Sequence, residues 1–373
     1  MFNAADHHFM AIALRLAAKG LYTTNPNPRV GCVIVNGTQI VGEGWHAQAG
    51  QAHAEIVALQ QAGDQARGAT AYVTLEPCAH QGKTPPCVEA LCAAGIKRVV
   101  CAMTDPNPAV NGKGAEALRA AGINVDAGLM QAEAEALNPG FCSRMRQQRP
   151  FIRVKMAMSL DGRTALQNGQ SQWITGESAR LDVQRWRARS SAIMTGINTV
   201  LQDNPALNIR LEGLALEAGQ GDLIHRPLRV VLDSRMQLPS SARLLSVPGK
   251  ILLATVSDDP NKCEALAEKN VEVLVLPADE HGRPDLHALM TDLITRQINE
   301  IMVESGHILA GALLQARLVD ELLLYIAPAL MGDAAKGLLH LPVLDSMHDK
   351  MQMTFTDIRA VGHDIRIIAV PQY

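Results

Sequence analysis

The sequence of 373 residues has few aromatic side chains and no marked excess of either charge. Phe, Trp and Tyr make up 3% of it, too few to supply many of the stacking platforms that single-stranded nucleic-acid binders use. Lys plus Arg number 34 and Asp plus Glu 37, so the net charge of −3 provides no basic excess for a nucleic-acid partner. No run of about 18 apolar residues occurs, so we expect no membrane-spanning helix. Nucleic acid and membrane are therefore not expected as partners.

The sequence also lacks the features of a secreted protein. Its seven cysteines are an odd number in a long chain, which is not typical of a disulfide framework. Near the N-terminus Asp6 precedes Arg15 and Lys19, whereas a secretory signal places its positive charge before the apolar segment. We interpret this segment as an amphipathic helix and expect a cytoplasmic protein. With 47% hydrophobic and 19% charged residues, the chain is expected to be globular rather than disordered.

Length and patterning indicate two domains, at 1–147 and 148–373, connected through the polar stretch 143–150. In the first domain, strands alternate with helices, which predicts an α/β layer with a partly parallel sheet. Its expected elements are a hairpin that turns at Asn36-Gly37, strands over 69–75, 97–103 and 123–128, and helices over 53–62, 85–94, 112–121 and 131–146.

The second domain is expected to contain a mixed sheet. Its pattern predicts strands over 151–160, 191–196, 229–233, 250–256, 271–277, 300–305, 320–328, 351–362 and 364–370. The last three follow one another with few helical residues between them, and this difference from the earlier strands is the reason that a mixed sheet is expected. The stretch 211–227 is expected to be an exposed loop.

Three residues of the first domain have the types and order of zinc ligands. His53 opens a predicted helix, Cys78 follows a predicted strand, and Cys87 opens the next helix. One imidazole and two thiolates leave the fourth tetrahedral position for water, which indicates a catalytic rather than a structural zinc. Helix N-termini favour negative charge, and zinc lowers the pKa of its water toward neutrality. Glu55, two residues after His53, is placed to take a proton from that water and pass it to a leaving amine.

Other residues compete with this interpretation. Cys32, Cys92, Cys101 and Cys142 lie within apolar patterns and are expected to be core residues. Zinc-dependent nucleobase deaminases carry His-x-Glu and Pro-Cys-x-x-Cys, with two residues between the cysteines. Here eight residues separate them, and His80 in that insert is an alternative ligand. A structural zinc module with four ligands, which binds a partner, is a further alternative.

The segments NPNPRVGCVIV, HAE and TLEPCAHQGKTPPC resemble the deaminase domain of the bifunctional riboflavin-biosynthesis deaminase/reductase family. The resemblance implies a cytidine-deaminase-like zinc domain that removes an amino group hydrolytically from the pyrimidine of a ribosylaminopyrimidine 5′-phosphate. It implies substrate binding by Asn27, Lys83, Asp105 and Asn107. Asn-Pro and Asp-Pro also start turns, so turn formation is an equal alternative for Asn27, Asp105 and Asn107.

No G-x-G-x-x-G follows a predicted strand of the second domain, so the Rossmann fingerprint is absent. The segment 303–314 instead predicts a strand, a turn at Gly306 and a helix start whose N–H groups suit a phosphate, although an ordinary strand–turn–helix fits equally. Together with 155–165, 171–176 and 195–210, it resembles the reductase domain of the same family, which has a dihydrofolate-reductase-like fold. The resemblance thus covers nearly the whole chain.

The reductase resemblance implies NADPH as a cofactor, in addition to the zinc of the deaminase. The implied NADPH-binding residues are Ala157, Trp173, Thr199, Asp203, Ser234, Gly306, His307, Ile308, Leu309, Ala310, Gly311 and Ala312. The implied substrate-binding residues are Ser171, Arg187, Leu207, Arg210 and Glu304, with Lys155 expected at the reacting ribosyl carbon and Glu304 as its partner.

Physical chemistry supports some of these roles and leaves alternatives. Guanidinium groups bind phosphate in a bidentate manner, which suits Arg187 and Arg210, but solvated surface charges are the alternative. Trp173 suits contact with a flat ring, but a core aromatic is the alternative.

The expected reactions are deamination followed by NADPH-dependent reduction of a ribosyl to a ribityl group. One alternative is a nucleoside or tRNA-editing deaminase fused to an unrelated reductase. Another is a second domain that has no reductase activity and only scaffolds the oligomer. The family resemblance also implies a homodimer or a larger homo-oligomer.

Overall fold

The structure, a computed structural model, describes residues 2–79, 86–212, 214, 216 and 220–373. The chain divides into two compact units, Met1–Gln148 with Asp222–Ile224, and Arg149–Gly221 with His225–Tyr373. Within the described residues, no helix has both the length and the apolar character needed to cross a membrane.

The first unit alternates helices and strands, as the sequence predicts. Its helices are α1 (Ala4–Ala18), α2 (Ala54–Ala62), α3 (Cys87–Ala93), α4 (Lys113–Ala120), α5 (Gln131–Leu137) and α6 (Pro139–Gln147), and a short 3-10 helix, Gly63–Ala66, follows α2. Its strands are β1 (Gly31–Asn36), β2 (Gln39–Trp45), β3 (Thr70–Val73), β4 (Arg98–Cys101) and β5 (Asn124–Ala127).

These strands form one sheet in the order β2-β1-β3-β4-β5. β1 pairs antiparallel with both β2 and β3, whereas β3, β4 and β5 are parallel. The turn between β1 and β2 places Asn36 opposite Gln39. Gly37 in that turn has a φ of 64°, a left-handed conformation that glycine adopts at no steric cost. The expected hairpin and partly parallel sheet are therefore confirmed.

Helices cover both faces of this sheet because β1 is apolar on both sides. Cys32 and Ile34 face the layer of α2, α3 and α4, whereas Val33 and Val35 face the layer of α1, α5 and α6. All four side chains are buried. The three-layer arrangement leaves the carboxyl ends of the parallel strands, and the loops that follow them, available for a site.

One expected helix is divided in the structure. The sequence predicts a single helix over 131–146, whereas α5 ends at Leu137 and α6 begins at Pro139. Proline disfavours the helical conformation in the residue before it, so the helix cannot run through Asn138. The side chain of Asn138 instead accepts the N–H of Arg29 at 2.8 Å and donates to its carbonyl at 3.0 Å. The division thereby ties these helices to the segment that precedes β1.

The second unit contains five helices and eleven strands among its described residues. The helices are α7 (Glu177–Arg189), α8 (Ile197–Asp203), α9 (Pro260–Ala267), α10 (Leu286–Thr295) and α11 (His307–Gln315). The strands are β6 (Phe151–Ser159), β7 (Arg163–Ala165), β8 (Ala192–Gly196), β9 (Leu228–Leu232), β10 (Ile251–Thr255), β11 (Val271–Val275), β12 (Glu300–Glu304), β13 (Glu321–Ala327), β14 (Lys336–Gly337), β15 (Gln352–Val361) and β16 (Asp364–Gln372). Short 3-10 helices, Gln220–Leu223, Arg243–Ser246 and Met347–Asp349, occupy connecting segments, the first of them within the expected loop 211–227.

Nine of these strands form a mixed sheet in the order β11-β10-β9-β8-β12-β6-β13-β16-β15. Neighbouring strands from β11 through β13 in this order are parallel. β16 pairs antiparallel with β13, and β15 pairs antiparallel with β16. β7 and β14 form a separate two-stranded pair. The mixed sheet expected from the sequence is confirmed, and the structure places its antiparallel pairs at the C-terminal strands.

The central strands β6 and β12 are apolar on one face and carry charges on the other. Ile152 and Val303 join the core that packs on α10 and α11. Lys155 and Glu304 are register partners near the carboxyl ends of these two parallel strands. Adjacent parallel strands thus bring an ammonium group and a carboxylate together where the loops of an α/β sheet commonly form a binding crevice.

Candidate functional site

The start of α2 positions the first predicted metal ligand. His53 immediately precedes α2, and its backbone carbonyl accepts the N–H of Val57. α2 lies directly on β2 because Gly44 has no side chain: a Cβ there would come within 2.2 Å of the carbonyl oxygen of Ala54. The absence of a side chain at Gly44 therefore allows the close approach of α2 to β2, and this approach determines the positions of His53 and Glu55.

His53, Cys78 and Cys87 form a cluster of ligand atoms. The Nδ1 of His53 lies 3.2 Å from the Sγ of Cys87 and 3.7 Å from the Sγ of Cys78. The three ligand atoms all lie within 4.8 Å of one another. One imidazole nitrogen and two sulfurs are a donor set that zinc prefers, and three protein ligands leave a tetrahedral position open. The residues present therefore fit a catalytic zinc ion.

Hydrogen bonding shifts the pKa values of the two thiols in this cluster in opposite directions. Hydrogen bonds from the Cys87 thiol, from His53 and from the backbone N–H of Cys87 at 3.4 Å hold the pKa of Cys78 well below its usual range, although burial opposes them. The hydrogen bond to Cys78 and burial raise the pKa of Cys87. A cation bound between the sulfurs would stabilise both as thiolates, as metal binding requires.

Glu55 lies beside the cluster with 4% of its surface exposed. Burial raises the pKa of its carboxyl group, while a backbone hydrogen bond and the neighbouring His53 act in the opposite direction. A carboxyl whose pKa lies above its usual range exchanges protons more readily near neutral pH. The position and chemistry of Glu55 therefore suit a general acid–base group.

His46 is a site residue that sequence reasoning missed. Its Nε2 lies 3.0 Å from the amide nitrogen of Asn27, and its Nδ1 lies 3.1 Å from the carbonyl oxygen of Ala52. Because a carbonyl only accepts, Nδ1 carries the proton and Nε2 accepts from Asn27. Burial lowers the pKa of His46 and favours this neutral form. The oxygen of the Asn27 amide is thereby left free to accept a hydrogen bond from a ligand. The only feature of the sequence that pointed to His46 as a site residue was its position directly after β2.

Asp105 and Asn107 lie after β4, and their side chains fold the segment on itself. The Asp105 carboxylate accepts the N–H of Asn107 at 2.8 Å, and the Asn107 side chain accepts the N–H of Ala109 at 3.1 Å. The turn interpretation therefore applies to both, and substrate binding by them stays a prediction. Lys83, expected to bind substrate, and His80, the alternative ligand, lie outside the described residues.

A cavity of about 750 Å³ lies at the carboxyl ends of the parallel strands in the second unit. It brings together all but two of the residues predicted for this unit. Those that line it are Lys155, Ala157, Ser171, Trp173, Arg187, Thr199, Asp203, Leu207, Arg210, Ser234, Glu304, Gly306, His307, Ile308, Leu309 and Ala312. Ala310 and Gly311 do not line it: Ala310 is fully buried in the core, and a Cβ on Gly311 would come within 2.0 Å of the carbonyl oxygen of His340.

Lys155, Glu304 and Arg187 form the charged centre of this cavity. Arg187 donates to both oxygens of Glu304, at 2.6 and 2.8 Å, and to the carbonyl of Asn208 at 2.8 Å. Burial and the charge of Arg187 lower the pKa of Lys155, against the opposing charge of Glu304. Burial would raise the pKa of Glu304, but Arg187 lowers it, so the carboxylate stays ionised. Arg187 is thus engaged by a carboxylate rather than solvated.

Several other predicted residues lie around this centre. Trp173 is 72% exposed, with the Arg180 guanidinium 4.8 Å from its ring centre, so it is not a core aromatic. The Ser171 hydroxyl donates to Asp203 at 3.1 Å. Gln184, which sequence reasoning missed because it lies mid-helix in α7, is buried and accepts the backbone N–H of Arg210 at 2.9 Å. It thereby fixes the segment that carries Arg210.

Two family models match the chain. The cytidine and deoxycytidylate deaminase zinc-binding region matches residues 3–103, and the RibD C-terminal domain matches residues 150–367. The second match alone covers more than half of the sequence.

Relatives and solved structures match along the full length. The riboflavin biosynthesis protein RibD of Escherichia coli (strain K12) is 50% identical over 365 residues, which cover 96% of this chain and 98% of that one. The corresponding Haemophilus influenzae protein is 47% identical over 375 residues, covering 100% and 99%. The structure of Acinetobacter baumannii RibD, form 1, superposes with a TM-score of 0.91 at 43% identity and covers 99% of each chain. A Thermotoga maritima diaminohydroxyphosphoribosylaminopyrimidine deaminase/5-amino-6-(5-phosphoribosylamino)uracil reductase gives 0.85 at 31%, again with 99% of each chain covered. With a zinc-ligand cluster in one unit and a charged cavity in the other, the chain belongs to the RibD family of bifunctional riboflavin-biosynthesis enzymes.

Proposed function

We propose that this chain catalyses two consecutive steps of riboflavin biosynthesis. The first deaminates 2,5-diamino-6-ribosylamino-4(3H)-pyrimidinone 5′-phosphate, and the second reduces 5-amino-6-(5-phosphoribosylamino)uracil with NADPH. The observation that carries the proposal is the open cluster of His53, Cys78 and Cys87 with the buried carboxyl of Glu55 beside it. Three ligands and an adjacent acid–base group are the requirements of a hydrolytic zinc centre.

In the deaminase, His53, Cys78 and Cys87 hold the zinc ion. Bound there, zinc supplies a Lewis acid that makes water nucleophilic at neutral pH. Glu55 accepts the proton that leaves the attacking water as the new carbon–oxygen bond forms at the amino-bearing ring carbon. The same carboxyl group then delivers that proton to the departing nitrogen as the carbon–nitrogen bond breaks, so ammonia leaves. The second water proton passes from the new hydroxyl to the adjacent ring nitrogen, and a ring carbonyl remains. The Asn27 amide oxygen accepts a hydrogen bond from the pyrimidine.

In the reductase, the cavity residues hold the ribosylamino substrate against the nicotinamide. Bound in the cavity, NADPH supplies the hydride that reduces the sugar C1′ of the ring-opened imine. Lys155 donates a proton to the imine nitrogen, so the carbon–nitrogen double bond gains one hydride and one proton. Arg187 holds the carboxylate of Glu304 in place, and the charge of that carboxylate favours the ammonium form of Lys155. The exposed guanidinium of Arg210 binds the substrate phosphate, and the N-terminal end of α11 receives the cofactor diphosphate.

One sequential assay tests the proposal. The purified, zinc-loaded protein is incubated with freshly prepared substrate, ammonia release is followed, and NADPH is then added and its absorbance recorded. Ammonia release followed by NADPH oxidation that depends on prior deamination is the expected result. Zinc-bound protein that releases no ammonia from this substrate but does so from cytidine or an RNA would overturn the substrate assignment. Ammonia release without NADPH oxidation would leave the second unit as a scaffold.

We further propose that the chain forms a homodimer or larger homo-oligomer through the outer edge of its nine-stranded sheet. β15 is the edge strand, and its Phe355 and Ile358 are 59% and 60% exposed. Exposed apolar side chains on an unpaired edge strand favour pairing with another chain. Light scattering after size exclusion is expected to give a smaller mass for Ile358→Lys than for the natural chain. Val275→Lys, on the opposite edge strand β11, should leave the mass unchanged, and an unchanged mass for Ile358→Lys would contradict the proposal.

The thiol chemistry supports a cytoplasmic location. All seven cysteines are free in the structure, and the two predicted zinc ligands among them bind metal only as reduced thiolates. The cytoplasm keeps thiols reduced.

A further inference from the structure

Glu76 is a buried carboxylate that the proposed chemistry does not use. It lies two residues before the predicted zinc ligand Cys78, and 4% of its surface is exposed. Buried carboxylates need hydrogen-bond partners. The backbone groups that donate to the Glu76 carboxylate all lie later in the sequence. They lie in the β4–α4 segment, residues 102–112, and in the first turn of α4.

Three backbone N–H groups donate to Glu76. Its Oε2 accepts from Asp105 at 3.1 Å and from Gly112 at 2.9 Å, and its Oε1 accepts from Ala115 at 3.0 Å. Gly112 precedes α4 and has no side chain with which to cap the helix. Glu76 supplies that cap from a distant part of the sequence, and its negative charge lies at the favourable end of the α4 dipole.

Close backbone packing reinforces this connection. A Cβ on Gly114 would lie 2.0 Å from the carbonyl oxygen of Pro77 and 3.1 Å from the Oε1 of Glu76. The first turn of α4 therefore lies directly against Glu76-Pro77, the dipeptide that leads into Cys78. Backbone atoms cannot yield as the end of a flexible side chain can, so the spacing between the two segments is fixed.

From these contacts we infer that Glu76 is the positioning residue that sets the β4–α4 segment relative to the metal ligands. That segment carries Asp105 and Asn107, which are predicted to bind the ribose phosphate. Through Glu76, the part of the site that binds the ribose phosphate and the part that attacks the ring are held at a fixed separation. The inference rests on the proposed deaminase function and assigns a role to a residue outside the predicted metal ligands and substrate-binding residues.

The charge of Glu76 is central to its test. Glutamine has the same shape but only one acceptor oxygen, so its NH₂ group would face a backbone N–H, and at least one of the three hydrogen bonds would be lost. A loosened β4–α4 segment weakens ground-state and transition-state binding alike, which raises KM and leaves kcat nearly unchanged. We expect KM for ammonia release to rise about tenfold or more in Glu76→Gln, where tenfold corresponds to about 1.4 kcal/mol.

The experiment compares zinc-loaded, full-length Glu76→Gln with the natural chain and with Glu116→Gln. Glu116 is exposed in the first turn of the same helix, and we expect its variant to behave as the natural chain does. Zinc content, kcat and KM are measured; zinc content and the far-UV circular dichroism spectrum serve as the folding check for the first unit, and reductase turnover with the deaminated substrate serves as the check for the second. Hydrogen exchange of peptides covering 104–116 is followed in parallel, with faster exchange expected only in Glu76→Gln.

Two results would overturn the inference. One is unchanged KM with unchanged hydrogen exchange in Glu76→Gln; the other is loss of zinc and of kcat in proportion at constant KM, which is what a purely structural role predicts. If Glu76→Gln does not fold, Glu76→Asp keeps the carboxylate but shortens the side chain by one methylene group, so the same hydrogen bonds are weakened and a rise in KM is again expected. Natural enzyme that binds zinc but releases no ammonia would overturn the proposed function instead, and the hydrogen-exchange comparison would still decide whether Glu76 holds the segment.

Discussion

Glu55 has little access to water, yet the deamination requires a proton to be moved at its position. Glu55→Gln keeps the shape of the side chain and removes its ability to carry that proton. We expect ammonia release to fall by about 10²- to 10⁴-fold, the usual contribution of a general acid–base group, while zinc content stays the same. Glu89→Gln, at an exposed position in the first turn of α3, is the matched control. Ammonia release at the natural rate by zinc-bound Glu55→Gln would show that the proton moves through another group.

Lys155 provides a prediction about pH. Proton donation needs the ammonium form, and burial and Arg187 lower the pKa of this group. Reductase turnover should therefore decline as pH rises through a value below the ordinary lysine pKa of about 10.4. The measurement is kcat as a function of pH, with the deaminated substrate and saturating NADPH. The pH range runs from about 6 to about 10, roughly from the ordinary pKa of histidine to that of lysine.

Variants separate this pH effect from other titrations. Lys155→Met should abolish reduction and leave ammonia release intact, whereas Lys250→Met, at an exposed position, should change neither. A Lys155→Met enzyme that reduces its substrate at the natural rate would remove Lys155 from the mechanism.

Among the elements, α1 is attached to the sheet of the first unit by charge as well as by apolar packing. Asp6 in its first turn accepts from Arg98 at 2.7 Å and from the Tyr72 hydroxyl at 2.9 Å. Burial alone would raise the pKa of Asp6, but these hydrogen bonds and the N–H of Asn3 lower it to about 2. The folded state therefore holds this carboxylate ionised at pH values where the unfolded chain, with a carboxyl pKa of about 3.9, takes up a proton.

Asp6→Asn tests this attachment. We expect the free energy of unfolding at pH 7 to fall by about 1–3 kcal/mol, the usual cost of losing hydrogen bonds to a charged group. Because the folded pKa is depressed, this contribution is present above pH ~4 and is lost as the pH falls toward ~2, so the difference from the natural chain should shrink over that range. Denaturant unfolding at several pH values measures it, with the exposed Asp64→Asn as control. A difference independent of pH would mean that packing, not charge, is lost.

The order and type of these elements were accessible from the sequence, but several boundaries and contacts were not. Alternating strands and helices predicted both sheets, and His53, Cys78 and Cys87 were brought together as expected. His53 and Cys87 lie at the starts of α2 and α3, which pack on the same face of the sheet, and Cys78 lies in the segment between β3 and α3. The division at Asn138 was missed because the apolar pattern continues through Pro139. His46 and Glu76 act through contacts with residues distant in sequence, and no local periodicity reveals those contacts.

Taken as a whole, the molecule places the two predicted active sites in separately packed units. The zinc-ligand cluster lies in Met1–Gln148, and the described residues that line the cavity all belong to the second unit. We therefore expect a chelator to abolish ammonia release while NADPH oxidation with pre-deaminated substrate continues at an unchanged rate. Zinc added back should restore the first activity. Loss of both activities on chelation would indicate that zinc also supports the fold of the second unit.

The position of β12 between β8 and β6 has a consequence for how the chain matures on the ribosome. When synthesis has passed α10, β6 and β8 have already been made, but the strand that joins them has not. Three strand edges then lack a partner, one on β8 and both on β6, because β13 is also made later, and unpaired edges are where aggregation begins. The sheet of the first unit, by contrast, uses no strand beyond Ala127. Nascent chains can thus complete the deaminase sheet early, whereas the centre of the reductase sheet stays open until β12 and β13 have emerged. That interval is where a chaperone would protect the chain.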